Sequence, residues 1–395
     1  MALNRTSDYL VMDEKELCQT AFDRGSLIKL SDLVHTLTPP PTTESKVPPE
    51  WEEDEPESLC CLREASLTAI AVLALADNDI RRDVTDGQRL LPSLASALVH
   101  RHTGVRYAAC QCVRALSRSV AVTRTSLVDS GLGAALFSVF SKEDEDRRVL
   151  HAALAAVCNL VNQYSPLRIP FLEQGVVTRL ARLLRSPSTE LRLSALWALK
   201  NLLYKSASET KRAIMADVGW SSIDVRLDDA DAGVREQALY LLRNFADSED
   251  DVDALFDALG TARLLGVLAS ALESHDVDVV LQASFTFSNL ANGHAQRQAL
   301  LLAHGRLLRS LRSALVDAPA DARCAALGAI NQLAWGAAEL RAAGIESTLK
   351  HLVEFGGGGP AAGGVGTVGV DREVRERARR ALEAIERVAV AAEDA

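Results

Sequence analysis

Leucine and alanine recur at intervals of three and four residues through most of this chain, and short polar segments separate the apolar stretches. That spacing places apolar side chains on one face of an α-helix. Runs of β-branched residues, which favour strands, are short. The pattern therefore predicts an all-α protein.

Glycines stand before apolar helical stretches at nearly regular intervals of about 39 to 45 residues. They are Gly87, Gly131, Gly175, Gly219, Gly260, Gly305 and Gly344. About twenty residues after most of them comes a branched residue, often arginine, and then alanine, as in "VRYAA", "LRLSA" and "VREQA". Two landmarks in one register predict a tandem repeat.

Each repeat divides into three predicted helices. A short helix such as "RIPFLEQ" ends at the glycine, where positive φ suits the exit. A second helix such as "VVTRLARLL" follows, and a polar turn such as "RSPSTE" supplies caps for a longer third helix. This organisation predicts a right-handed α-solenoid of about seven armadillo repeats of roughly 42–45 residues, whose stacking makes one core.

Three regions depart from the repeat. Residues 1–38 read as a partial repeat with Gly25 as its glycine, so the chain is expected to begin inside a repeat. Residues 39–57 are acidic and proline-rich and predict a disordered insertion. Residues 58–395 hold the repeats. Within them, residues 356–370 predict a flexible loop, because no strand and no Gly-Lys-Ser/Thr motif accompany the glycines.

The third helix "ALWALKNLLY" carries Trp197, a costly residue for a surface, and, four positions on, Asn201, a poor helix former. Trp197, Lys200, Asn201 and Tyr204 follow the i, i+3, i+4, i+7 rule and share a face. The neighbouring face, with Leu199, is predicted to point into the core.

An aromatic residue followed at i+4 by asparagine recurs in the next two repeats, and the repeat after those has Gln332 and Trp335 at related positions. The candidate groove residues are Trp197, Lys200, Asn201, Tyr204, Tyr240, Arg243, Asn244, Phe285, Asn289, Gln332 and Trp335. Asparagine amides can pair with the N–H and C=O of an extended peptide, and aromatic walls can hold its side chains. We therefore predict a peptide-binding groove in which Asn201 and Asn244 face open space. In the alternative, the rings pack in the core and the asparagines bond to backbone.

Charge along this face predicts the kind of ligand. Arg114, Arg118, Lys200 and Arg243 occupy groove positions, against one acid, Asp247. Such a groove suits an acidic segment or a terminal carboxylate. A carrier of basic nuclear-import signals, of the importin-α type, needs an acidic groove and remains the alternative.

Composition argues against several other classes of function. A net charge of −10 argues against a nucleic-acid binder. The seven cysteines and eight histidines form no metal-ligand or catalytic spacing, which predicts reduced thiols, no metal, no cofactor, no small-molecule substrate and no enzymatic activity. The N-terminus lacks the apolar core of a signal peptide, and eighteen apolar residues never run together. We expect a soluble protein of the cytoplasm and nucleus, without a membrane partner.

Several segments resemble one family in particular: the armadillo-repeat scaffold subunit of the GID/CTLH ubiquitin ligase. They are "VRYAACQCVRALSRSVAVTRTSLVDS", "AAVCNLVNQYSPLRIPFLEQGVV", "LRLSALWALKNLLY", "LLRNFAD", "FSNLANG" and "RERARRALEAIERV". The resemblance covers residues 8–395 and corresponds to the C-terminal half of the family's members.

This resemblance implies a non-catalytic part of a RING-type ligase that marks regulated substrates, such as gluconeogenic enzymes, for proteasomal degradation. It also implies that the subunit joins the substrate receptor to the ligase core, with the receptor's C-terminal tail in the groove. The implied partners are ligase core subunits and the receptor. Another armadillo interaction scaffold is the remaining alternative.

Overall fold

The computed structural model describes residues 15–38, 55–124, 127, 130–355 and 367–393. The regular elements of these residues are all helical, so the prediction of an all-α fold is confirmed. The chain divides into two compact units, Met1–Leu183 and Leu184–Ala395, called here the N-terminal and C-terminal units.

The N-terminal unit contains helices in the predicted short–second–third order. They are α1 (15–23), α2 (Ser26–Leu37), α3 (Glu57–Ala76), α4 (Asn78–Arg82), α5 (Leu91–Leu98), α6 (Thr103–Leu116), α7 (Val120–Arg124), α8 (Leu132–Ser141), α9 (Arg147–Leu160), α10 (Arg168–Glu173) and α11 (Val176–Leu183). The third helices α3, α6 and α9 pack side by side. Leu67, Val105 and Leu154 are fully buried, one on each of these helices, and form part of a continuous apolar core.

Helix α3 is long and apolar enough, by length and composition alone, to cross a membrane. However, it packs against α2 and α6 within the repeat array, and it buries Leu67 and Ile70 there. It also buries Arg63, which is paired with Glu55. These contacts are those of a core helix in a repeat protein.

The C-terminal unit continues the same three-helix repeat. Its helices are α12 (Thr189–Leu203), α13 (Ser208–Val218), α14 (Trp220–Leu227), α15 (Ala232–Phe245), α16 (Glu249–Leu259), α17 (Thr261–Leu272), α18 (Val277–Leu290), α19 (Ala295–Ala303), α20 (Gly305–Asp317), α21 (Ala320–Gln332), α22 (Ala337–Ala342), α23 (Ile345–Phe355) and α24 (Thr367–Glu393). Third helices α12, α15, α18, α21 and α24 pack each on the next. The leucine predicted to point inward, Leu199, is fully buried, as are Leu242 and Phe287.

Polar turns start the third helices by capping them. The Asp231 carboxylate accepts a hydrogen bond from the Val234 N–H at 3.0 Å, and Asp276 likewise accepts from Val279 at 3.1 Å. Helix α12 differs, because Ser188 precedes it without a side-chain cap bond.

Most of the predicted glycine junctions have the expected backbone. Gly131 and Gly219 have φ of 71° and 77°, in the region that favours glycine. Gly87 and Gly305 are exceptions to the prediction. A π-helical turn ends at Gly87, and α20 starts at Gly305 behind a cap from His304.

The predicted insertion and loop are shorter than expected where the structure describes them. Glu55 is bound by neighbouring side chains, and α3 already begins at Glu57. At the glycine-rich segment, α24 begins at Thr367. The remaining residues of the two predictions, 39–54 and 356–366, lie outside the described residues.

Candidate peptide-binding groove

Two cations of the C-terminal unit lie between aromatic rings of successive third helices. The Lys200 ammonium on α12 lies 4.7 Å from the ring centroid of Trp197 and 3.9 Å from that of Tyr240 on α15. The Arg243 guanidinium carbon lies 5.1 Å from the Tyr240 centroid and 3.9 Å from that of Phe285 on α18. All four distances fall within the roughly 6 Å range of cation–π attraction.

These five residues form a ring-and-cation ladder, in the order Trp197, Lys200, Tyr240, Arg243 and Phe285. Its members do not share one degree of exposure. Lys200 is only 6% exposed, whereas Trp197 is 47% exposed. The ladder thus presents an aromatic surface to solvent and keeps one of its charges beneath it.

A hydrogen-bonded relay leads from the ladder to one carboxyl group. Arg243 Nη1 donates to Gln282 Oε1 at 3.3 Å, and Gln282 Nε2 donates to Glu236 Oε1 at 3.4 Å. Burial lowers the pKa of Arg243 and raises the pKa of Glu236, although Lys200 opposes the latter shift. Both shifts reflect the cost of holding a charge away from water.

The acid predicted to oppose these cations is engaged elsewhere. Asp247 is paired with the fully buried ammonium of Lys211, which also donates to Asp251 at 2.9 Å and to the Phe245 carbonyl at 3.0 Å. Asp247 therefore has Lys211 as its ion-pair partner.

The asparagines that lie four residues after the ladder aromatics on α15 and α18 bond to the backbone of the preceding third helix. Asn244 Nδ2 donates to the Lys200 carbonyl at 2.9 Å, and Asn289 Nδ2 donates to the Arg243 carbonyl at 2.9 Å. In the N-terminal unit, Asn159 Nδ2 donates in the same way to the Arg114 carbonyl at 3.4 Å. The amide therefore ties each helix to the last turn of its predecessor.

The expected open placement of Asn244 is accordingly wrong, since this residue is 9% exposed and uses one amide hydrogen for the bond between helices. Asn201 is half-buried on α12. Tyr204 caps that helix and is exposed, with the Lys205 ammonium 5.3 Å from its ring. Of the alternatives left open by the sequence, backbone bonding describes Asn244 and Asn289, while Trp197 and Tyr204 are exposed on the surface.

The ladder does not continue onto α21. Gly328 occupies the aromatic position there, and a recess of about 350 Å³ lies between it, Asn331 and the Arg377 side of α24. Gln332 is exposed at the end of α21. Trp335 lies beyond it in a 3₁₀ turn, 48% exposed, and its Nε1 donates to Gln298 at 2.7 Å. These two predicted residues thus lie apart from the cation–ring contacts.

Sequence spacing did not reveal one further cluster, in the N-terminal unit. Ligand atoms of Glu55, Cys60 and His100 lie within 4.8 Å of one another, a set that can hold a metal ion. Glu55 and His100 are 45 residues apart, and Glu55 lies in the segment expected to be disordered. No local pattern could have brought them together.

The bonding of this cluster fits a hydrogen-bonded ion pair better than a metal site. Arg63 Nη2 lies 2.5 Å from one Glu55 oxygen, and His100 Nε2 donates to the other at 2.8 Å. His100 Nδ1 accepts from the His102 N–H at 3.0 Å, which leaves the proton on Nε2. Cys60 Sγ donates to Glu55 Oε2 at 3.4 Å, and burial raises the pKa of this thiol to about 11.

Several known proteins are similar to this chain in sequence. Residues 75–257 match the family described as VID28/GID5 C-terminal domain. The chain is 28% identical over 274 residues to Armadillo repeat-containing protein 8 of Danio rerio, covering 69% of this chain and 40% of the relative. It is 27% identical over 323 residues to GID complex subunit 5 of Schizosaccharomyces pombe, covering 78% and 40%. The chain thus spans less than half the length of these relatives.

Solved structures agree on the fold. An engineered protein superposes with a TM-score of 0.71 at 20% identity, covering 94% of this chain and 81% of its own. A designed armadillo repeat protein in complex with peptide (KR)4 superposes with a TM-score of 0.53 at 23% identity, covering 63% and 98%. The chain therefore has the armadillo-repeat fold and is similar to Armadillo repeat-containing protein 8 and GID complex subunit 5, and its residues 75–257 match the VID28/GID5 C-terminal domain.

Proposed function

We propose that this chain is a non-catalytic subunit of a GID/CTLH-type ubiquitin ligase of the cytoplasm and nucleus. In this role it holds the substrate receptor, so that bound substrates are ubiquitinated and then degraded by the proteasome. Its relationship to GID complex subunit 5 supports membership of the complex. The observation that carries the binding role is the ring-and-cation ladder of the C-terminal unit.

The groove ligand in this proposal is the extended tail of the receptor. Exposed aromatic side chains are common energetic anchors at interfaces, and Trp197, Tyr204 and Trp335 are available for that purpose. The charges of Lys200 and Arg243 lie on the same face. A carboxylate brought beside a partly desolvated guanidinium recovers part of its lost solvation and forms a charge-assisted hydrogen bond. An acidic or carboxylate-terminated tail fits this face.

The importin-α-like alternative requires the same groove to bind lysine- and arginine-rich peptides. The rings that would attract such side chains already contact Lys200 and Arg243. A basic ligand would add like charges close to those two cations. The geometry therefore favours the receptor tail.

Affinity purification of the full chain from its own cells, followed by mass spectrometry, tests this function. The wild type should recover ligase subunits together with the receptor. Trp197→Ala combined with Trp335→Ala should lose the receptor and keep the other subunits. Val225→Ala is the matched control, because Val225 is also an exposed apolar residue, on α14, and this variant should keep all of the subunits. Recovery of nuclear-import carriers in place of ligase subunits would refute the proposal.

A further inference from the structure

The space between two rings of the ladder has the properties of a site for a basic side chain. Ammonium and guanidinium groups are attracted to aromatic faces, and an extended basic peptide would use that attraction along a ladder of rings. In this protein, the space between Trp197 and Tyr240 contains Lys200, and the space between Tyr240 and Phe285 contains Arg243. The protein itself supplies the cations.

Both residues are held in place through their backbone and their side chains. The carbonyl of Lys200 accepts from Asn244, and the carbonyl of Arg243 accepts from Asn289, each at 2.9 Å. The guanidinium of Arg243 also bonds to Gln282. Displacing either side chain would break these ring contacts, so a ligand cation gains no more than the resident cation loses.

We propose that Lys200 and Arg243 are specificity-determining residues that occupy the inter-ring sites and so exclude lysine and arginine side chains from the groove. What remains available is the outer aromatic surface, with positive charge beneath it. This surface selects an extended segment with acidic or neutral side chains. The inference rests on the proposed function only in that the groove binds a peptide.

Lys200 and Arg243 can exclude a basic side chain by charge repulsion and by filling the space between the rings, and substitutions separate these two effects. Lys200→Ala with Arg243→Ala removes the charges and empties the inter-ring sites. Lys200→Met with Arg243→Met removes the charges but leaves an unbranched side chain of similar length in each site. Arg297→Ala is a control, because Arg297 also lies over a ring, that of Phe256, but on α19 and away from the third helices.

The test is a fluorescence anisotropy titration with two labelled octapeptides: one alternates lysine and arginine, and the other alternates glutamate and serine and ends in a free carboxylate. We expect the double alanine variant to bind the basic peptide about tenfold more tightly than wild type does, in keeping with cation–π energies. The double methionine variant should gain clearly less, because its inter-ring sites stay occupied, and Arg297→Ala should stay near wild type.

An equal gain in the alanine and methionine variants would mean that charge alone excludes basic peptides and would overturn the inference, as would no gain in either variant. Because Lys200 is buried, melting curves must first establish that the double variants fold. If the double variants do not fold, the affinities of the single variants Arg243→Ala and Arg243→Met for the basic peptide are compared by the same criteria. Failure of wild type to bind the acidic peptide would count against the proposed groove ligand, whereas a gain in the alanine variant alone would still support occupied inter-ring sites.

Discussion

The side-chain amide of Asn244 donates to the backbone carbonyl of Lys200 at 2.9 Å, from one third helix to the one before it. The ammonium of the same lysine lies over the ring of Tyr240, one turn before that asparagine. One pair of helices is thus joined twice, by an amide bond to backbone and by a cation over a ring. The ring-and-cation ladder and repeat stacking share the same residues.

Asn244→Ala should therefore destabilise the free protein. A lost buried hydrogen bond costs about 0.5–1.5 kcal/mol net, with more if a polar group is left unsatisfied. Urea unfolding measures the change. Asn331→Ala, at an exposed position of α21, is the control and should alter stability by less than about 0.5 kcal/mol. Equal stability of the two variants would contradict the stacking role.

Lys211→Met should be more damaging. Asp251 is fully buried and would lose the cation that stabilises its charge. Removing one partner of a buried ion pair costs about 3–5 kcal/mol. Thermal melting and urea unfolding measure the loss. Lys350→Met removes an exposed partner of Glu346 and should leave the unfolding midpoint unchanged. A Lys211→Met protein as stable as wild type would show that the ion pair is dispensable.

Acid should act on wild type and Lys211→Met in different ways. Burial alone would raise the pKa of Asp251, but the hydrogen bond and charge of Lys211 outweigh burial and hold this pKa below its ordinary value. A depressed pKa contributes stability at pH above the ordinary carboxyl value, and that contribution is lost as the pH falls through the folded value. Without Lys211, burial remains and should raise the pKa.

The difference in unfolding free energy between wild type and Lys211→Met should consequently shrink as the pH is lowered from neutral toward about 4. Urea unfolding at several pH values measures it. A difference that stays constant or widens would mean that Lys211 does not set the protonation of Asp251.

Trp197→Ala should weaken binding of an acidic, carboxylate-terminated peptide and change melting little. An aromatic anchor at an interface commonly contributes about 2 kcal/mol or more, whereas nearly half of this side chain is already exposed in the free protein. Calorimetric titration against wild type and Val225→Ala measures the loss. A variant that melts far lower with unchanged peptide affinity would place Trp197 in the core rather than in a site.

Substitution in the cluster of Glu55, Cys60 and His100 should lower the melting temperature, and chelation should not. Glu55→Gln removes the charge that Arg63 pairs with, so it should lower the melting temperature. Treatment with a chelator or a reductant should leave that temperature unchanged, because hydrogen bonds and an ion pair hold the cluster. A drop on chelation, reversed by zinc, would instead identify Glu55, Cys60 and His100 as metal ligands.

Local pattern was sufficient for much of this fold. Apolar spacing of three and four residues placed Leu199 on a buried helix face. The repeated glycines marked the junctions between helices, such as those at Gly131 and Gly219, where φ is positive. Such features depend on a few neighbouring residues, and a helix imposes them at every turn. The same periodicity put Trp197 and Lys200 on one face before any contact was known.

Contacts between residues about forty or more positions apart were decided only by the tertiary structure. The sequence alone placed Asn244 and Lys200 at repeated positions of successive third helices. Helix stacking decided that the Asn244 amide bonds to the Lys200 carbonyl. Packing likewise placed Lys200 between two rings and brought Glu55 to His100. The physical reason is that burial and pairing arise when separate helices meet, and their partners cannot be read from the periodicity of any single helix.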